Sequence, residues 1–177
     1  MFQSLFRRGS GSDSVYAAYT AIVAQSRQPV FYAEWGVPDT VTGRFDMISL
    51  HMAMLFRRLR GGSEQQRNFS QAVFDLFFKD MDRSLREMGV TDMGVPKKIQ
   101  KMGNIFFGLL AALNEALDAG EEAALVDVLR RNIYDEDDDA DGQKAILLAQ
   151  YLARQDQLLA QQDTKSIVAG TMQFESV

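Results

Sequence analysis

The stretch FDMISLHMAMLFRRL, residues 45–59, decides the fold. Its apolar residues Phe45, Ile48, Met52, Leu55, Phe56 and Leu59 recur at steps of three and four. That is the repeat of one face of an α-helix, not the strict alternation of a half-buried strand. At about 100° per residue, Met47, Leu50 and Met54 project nearly opposite that stripe, so the helix is apolar on two flanks. Two readings follow. Either the helix threads the middle of a bundle with neighbours on both sides, or its second flank is an adaptable surface for an apolar helix of another protein. Methionine suits the second task because its unbranched, polarizable side chain repacks around varied partners.

Outward from this helix, the same period continues. Ser63 is placed to cap a helix through Met88 with the stripe Phe74, Phe77, Phe78, Met81, Leu85 and Met88, and Gly89 is placed to end it in the left-handed conformation. Thr91 or Asp92, then Pro96 in a first turn, open another helix with Ile99, Met102, Phe106, Leu109, Leu110, Leu113 and Leu117, stopped by Gly120. A shorter helix over residues 121–133 leads into the acidic run DEDDDADG, and a last one covers residues 143–161. Upstream, GSGS at residues 9–12 reads as a hinge between a flexible segment, residues 1–12, and a helical domain over residues 13–177 whose first helix runs from Ser12 or Asp13 to about Arg27. Pro29, Gly36, Pro38 and Gly43 are too closely spaced for a long helix. The pattern predicts an all-α fold: a single compact bundle of six to seven helices, with an irregular connection near residues 28–44 and a short helical piece at residues 31–35. A short extended segment is expected near the C-terminus, at residues 167–174.

The chain has 177 residues, 46% of them hydrophobic, enough to bury a core without metal or disulfide. It has no cysteine, which removes disulfides, thiolate metal sites and cysteine nucleophiles together. A formal charge of -5 argues against a domain built to grip phosphate backbones, so no sequence-specific nucleic acid is expected as partner. No run approaches the roughly 18–20 apolar residues that cross a bilayer, and the N-terminus lacks the apolar core and cleavage site of a secretory signal. The expected location is the cytoplasm, including the inner face of the cytoplasmic membrane.

Catalytic chemistry finds little support. His51 is the single histidine, and a constellation around it would need carboxylates alone as its other members; a packed, hydrogen-bonding histidine is the simpler reading. No nucleophile elbow, phosphate loop, zinc-binding HExxH or dinucleotide fingerprint occurs. Asp135, Asp137 and Asp139 match the first ligands of a calcium loop. However, Ala140 stands where its sharp turn needs glycine and Ile146 where a bidentate glutamate belongs, so the run reads as a solvated loop and no metal or cofactor is expected.

Two sets of cations and one short amphiphilic segment are candidates for binding. Arg57, Arg58 and Arg60 end the central helix, where cations are stabilised by its dipole. Lys97, Lys98 and Lys101 open the helix at Pro96, at the wrong end for the dipole, and are the better candidates for a basic patch toward anionic groups of a ribosome, lipid or client. Phe2, Leu5, Phe6, Arg7 and Arg8 have the composition of a weak interfacial anchor, which supports the alternative reading of a peripheral lipid-binding or scaffold protein.

Three strings in fixed order, GVPDTVTGRFDMISLHMAMLFRRLR, QAVFDLFFKDMDRSLREMGV and VPKKIQKMGNIFFGLLAAL, resemble the ubiquinol-cytochrome c chaperone family. The carriers are Phe45, Asp46, Met47, Leu50 and His51; Arg86, Met88, Gly89 and Val90; Lys97, Lys101, Met102 and Phe106; and a final pair, Gly170 and Phe174. The resemblance spans residues 13–175. It implies a non-enzymatic assembly factor that binds newly made cytochrome b, a bundle of apolar helices, on its way into the cytochrome bc1 complex. Lacking the long N-terminal extension of mitochondrial relatives, the chain resembles a bacterial member. On this reading Met47, Leu50, His51 and Met54 line the client surface and the cations flank it.

Overall fold

A computed structural model describes residues 3–134 and 142–177, with side chains from residue 11 onward. The described residues form eight helices and no strand: α1 (Gln3–Ser26), α2 (Pro29–Ala33), α3 (Val41–Leu59), α4 (Glu64–Glu87), α5 (Gly94–Ala119), α6 (Glu122–Asn132), α7 (Gln143–Gln161) and α8 (Thr164–Val168). The all-α bundle follows from the period of the apolar residues. Each long helix has an apolar stripe, and the stripes meet in one core that contains Ile22, Leu50, Leu55, Phe77, Phe106, Leu113, Leu129 and Leu152.

The centre of the bundle is α3, which packs against α1, α4, α5 and α7. Both of its apolar flanks are therefore covered. Its start is set by a tight local device. The Thr40 side chain accepts the Gly43 N–H at 3.0 Å, and a β-carbon on Gly43 would stand 2.0 Å from the Pro38 carbonyl oxygen, so only glycine lets the entering chain fold this closely over the first turn. Helix α3 thus begins four residues before Phe45. The irregular connection narrows to residues 34–40, and the short helix before it starts at Pro29, which supplies the fixed φ of a first helical position.

Two other boundaries differ from the sequence pattern. Helix α1 is continuous through residues 9–12, where GSGS suggested a break. Extending an existing helix adds one hydrogen bond per residue fixed, so once Ala18, Tyr19 and Ile22 are packed, two glycines at about 1 kcal/mol each do not stop it. At the other end, Ile167 and Val168 belong to α8, where the pattern suggested an extended segment from residue 167. Ile167 is buried on the inner side of this short helix, and only residues 171–177 lack regular structure. Ser63 and Gln66 form the reciprocal capping box of α4, and Gly89 and Gly120 end α4 and α5 in the left-handed conformation as expected. The acidic run at residues 135–141 lies outside the described residues.

Gly170 fixes the return of the C-terminal segment. Its φ of +88° closes α8, with the Thr171 N–H donating to the Ser166 carbonyl at 3.1 Å and its own N–H to the Ile167 carbonyl at 2.9 Å. A β-carbon here would approach the Ser14 carbonyl oxygen to 2.9 Å and the Ala17 methyl to 3.1 Å on α1. Gly170→Ala should therefore cost about 2 kcal/mol, from the left-handed backbone and the contact with α1 together. Urea denaturation measures it, and an unchanged midpoint would show that α1 yields freely.

Candidate functional site

Met47, Leu50, His51 and Met54 do not form a surface. Each is at most 1% exposed, because α3's second flank is covered as fully as its first. His51 is the hub of a buried polar network. Its Nδ1 lies 2.7 Å from the Met47 carbonyl, which can only accept, so Nδ1 carries the proton and Nε2 accepts from the Tyr151 hydroxyl at 2.8 Å. Tyr151 in turn accepts from Gln25 Nε2 at 2.9 Å, and the same amide donates to the Glu175 carbonyl at 2.9 Å. Ser26, whose hydroxyl donates to the Ile22 carbonyl, stands 3.0 Å from His51 Nδ1. Phe31 and Phe174 pack their rings on the imidazole, Phe174 edge-on at 5.4 Å. Burial pushes the imidazole down to about 4, so it is neutral at physiological pH. The histidine joins α1, α3, α7 and the C-terminal segment and reaches no solvent.

The six cations do not make one patch. Arg57 bonds Asp156 at 2.8 Å and Asp118 at 2.7 Å, Arg60 bonds Asp118 at 3.1 Å, and Arg58 donates to the carbonyls of Leu159 and Gln162. These arginines clamp the end of α3 to α5 and α7, and the hydrogen bonds from Arg60 and Arg57 hold the Asp118 carboxyl down at about 2. Lys97, Lys98 and Lys101 are exposed and form no ion pair among the described residues. They sit near the start of α5, roughly 30 Å along the helix from Asp118 at 1.5 Å per residue. Phe2 lies outside the described residues, as do the side chains of Leu5, Phe6, Arg7 and Arg8.

An apolar surface does exist elsewhere. Between the first turns of α3, the last turns of α4 and the first half of α5 lies a groove of about 500 Å³. Val41 and Phe45 line it from α3, Met81 and Leu85 from α4, Met88 from the position just past α4, and Met102 and Ile105 from α5. Val41 is 62% exposed, Met88 51% and Ile105 44%, and Met93, in the turn into α5, stands almost free of the protein. Lys98 and Lys101 belong to the same groove. Its charged member on α3 is Asp46, only 7% exposed and, among the described residues, without a hydrogen bond or ion pair. Burial alone pushes this carboxyl up to about 7.

Of the groove, the sequence offered only the two lysines as binding residues. Val41 and Ile105 stand off the core stripes, and an apolar residue on the outer side of a helix is the signal that marks them.

The two sets of cations separate by experiment. Arg57→Ala should cost about 2 kcal/mol, because it strands Asp156 and frees α3 from α5, while Lys97, Lys98 and Lys101 changed together to Gln should alter stability by no more than about 0.5 kcal/mol. Equal losses in urea unfolding would refute the distinction.

The pH dependence offers a second check. A carboxyl raised to about 7 holds its proton in the folded chain after the unfolded chain has lost it. Asp46 therefore lowers stability as pH rises from about 4 to 7, at about 1.4 kcal/mol per unit at most. His51, depressed to about 4, has the opposite sign: the unfolded chain takes the proton first as pH falls below about 6.5. The two oppose each other over the shared range. Asp46→Asn should thus gain stability relative to the native chain steadily from pH 4.5 to 6.5, and a difference that does not vary with pH would mean that Asp46 titrates as an ordinary carboxylate.

Three comparisons show what the chain is similar to. The family described as Ubiquinol-cytochrome C chaperone matches residues 33–174, a span that holds every groove residue as well as His51, Tyr151 and Phe174. Ubiquinol-cytochrome-c reductase complex assembly factor 1 of Xenopus laevis is 22% identical over 150 residues, 85% of this chain and 74% of that protein. The crystal structure of the Cbp3 homolog from Brucella abortus aligns with a TM-score of 0.87 at 37% identity, covering 99% of this chain and 97% of that one. The chain belongs to the ubiquinol-cytochrome C chaperone family, a family of chaperones and not of enzymes.

Proposed function

We propose that this chain is an assembly chaperone of ubiquinol-cytochrome c reductase that holds an apolar segment of newly made cytochrome b in the groove between α3, α4 and α5. Family membership supports the complex, as does the name of the Xenopus relative. The observation that carries the site is the set of exposed apolar side chains Val41, Met88 and Ile105 around one groove. Contiguous exposed apolar surface on a folded domain marks an interaction site, and the client's membrane-spanning helices would aggregate in water if left uncovered. Three of the groove's lining residues are methionines, Met81, Met88 and Met102, which repack around segments of differing shape.

The client is received beside the membrane rather than within it. Among the described residues, no helix is long and apolar enough to cross a bilayer. Lys98 and Lys101, with no ion pair among the described residues, favour an acidic or phosphate-bearing group beside the segment that the groove holds, and they attract it from a distance at low salt.

Changing Met88 and Ile105 together to serine should weaken capture of a fluorescent cytochrome b transmembrane peptide about tenfold or more, since each side chain contributes about 1 kcal/mol of apolar contact. Leu147→Ser, at an exposed apolar position on α7 away from the groove, serves as the control and should leave capture unchanged. Undiminished capture by a double variant with native helix content would reject the groove.

A further inference from the structure

Asp46 makes no hydrogen bond or ion pair among the described residues. It lies in the second turn of α3, past the capping position that Thr40 fills, and 93% of it is buried. Its oxygens are not among the fully enclosed polar atoms that lack a partner, so they keep contact with water, and the groove is the surface that Asp46 lines. A segment covering the groove would remove that water and leave the carboxyl costing a few kcal/mol unless it brought a donor. The neighbouring lysines do not relieve it. Neither Lys98 nor Lys101 comes within ion-pair distance, and burial is the sole influence that shifts the carboxyl. The same carboxyl lines the apolar groove, which places an acceptor with no protein partner among the described residues where an incoming segment would cover it. Among the groups that could satisfy it, a guanidinium or ammonium gains most, because the hydrogen bond is then assisted by charge on both sides.

We infer that Asp46 is a recognition residue that accepts one basic side chain carried on an otherwise apolar helical segment lying in the groove. The inference rests on the groove being the client site. It narrows the client from any greasy helix to one with a cation at a fixed depth. An apolar run that ends in lysine or arginine is the ordinary composition of the cytoplasmic end of a membrane-spanning helix, so the class of segment is a common one in nascent membrane proteins. Lys98 and Lys101, at the same groove, act against a second cation and so keep the segment from binding in a shifted register.

The test compares two apolar helical peptides of about 20 residues, identical except that one carries arginine and the other methionine near its end. The native chain should bind the arginine peptide about tenfold more tightly, Asp46→Asn should reduce that ratio to about one, and Asp46→Glu should retain part of the preference. Should Asp46→Asn fail to fold, Asp46→Ser provides the same reading.

A ratio near one in the native chain, or one that survives loss of the carboxyl, overturns the inference; if the Met88 and Ile105 double variant still weakens both peptides, the groove itself stands. If that variant weakens neither, the groove reading has failed and the inference with it. Capture of phosphatidylglycerol vesicles through Lys98 and Lys101, with neither peptide bound, would assign the groove to lipid and overturn the inference as well.

Discussion

The structure depends on a helix that cannot tolerate water on either flank. An α-helix with one apolar stripe needs one neighbour, but α3 has two and is enclosed by α1, α4, α5 and α7. Burying it also buries whatever polar groups it carries, and this makes His51 a requirement on the rest of the fold. An imidazole in such a place must find both a donor and an acceptor, and it finds them in Tyr151 of α7 and in the carbonyl of Met47, one turn back on its own helix. The partners of those partners, Gln25 and the backbone at Glu175, extend the constraint to the first helix and the C-terminal segment. At the far end of α3 the three arginines serve the same purpose by electrostatic means, fastening it to α5 and α7.

The enclosure gives out at α3's first turns. Val41 is largely open to solvent there, and the groove forms between these turns and the ends of α4 and α5. The turn between α4 and α5 is held firm beside it. Arg86 bonds both Asp82 and Asp92, and the Val90 N–H closes back on the Leu85 carbonyl at 3.0 Å. Firm backbone with soft methionine side chains suits the proposed client surface, which would keep its position while its lining adapts. In the proposed reading Asp46 adds one demanding feature, since a carboxyl without a protein partner among the described residues discriminates more sharply than any apolar contact.

Much of this could be read in the chain before any coordinates. The three- and four-residue steps in α3, α4 and α5 settle the all-α class, and Ser63, Gly89 and Gly120 mark helix ends by chemistry that is local and therefore visible in sequence. What sequence alone could not settle was which of two readings of Met47, Leu50 and Met54 holds. Periodicity gives the flanks of a helix, but the number of neighbours is a tertiary property, and here there are enough to cover both. The same limit hid the groove, because Val41, Met88 and Ile105 come from three separate parts of the chain and only folding makes them adjacent. Arg57 and Lys98 look alike as cations in a list. Asp118 and Asp156, distant in sequence from Arg57, make the difference.

The return of the chain at Gly170 has a consequence for the order in which the molecule can be completed. Phe174 lays its ring against His51, and the carbonyl of Glu175 receives the Gln25 amide, so the innermost polar cluster is sealed by residues that leave the ribosome after all eight helices have been made. During synthesis the earlier helices can gather, but the wall over the imidazole stays open until that strap arrives. A chain lacking these last residues would thus differ from a finished one at its very centre, with the imidazole no longer covered by Phe174 and the Gln25 amide without its carbonyl acceptor.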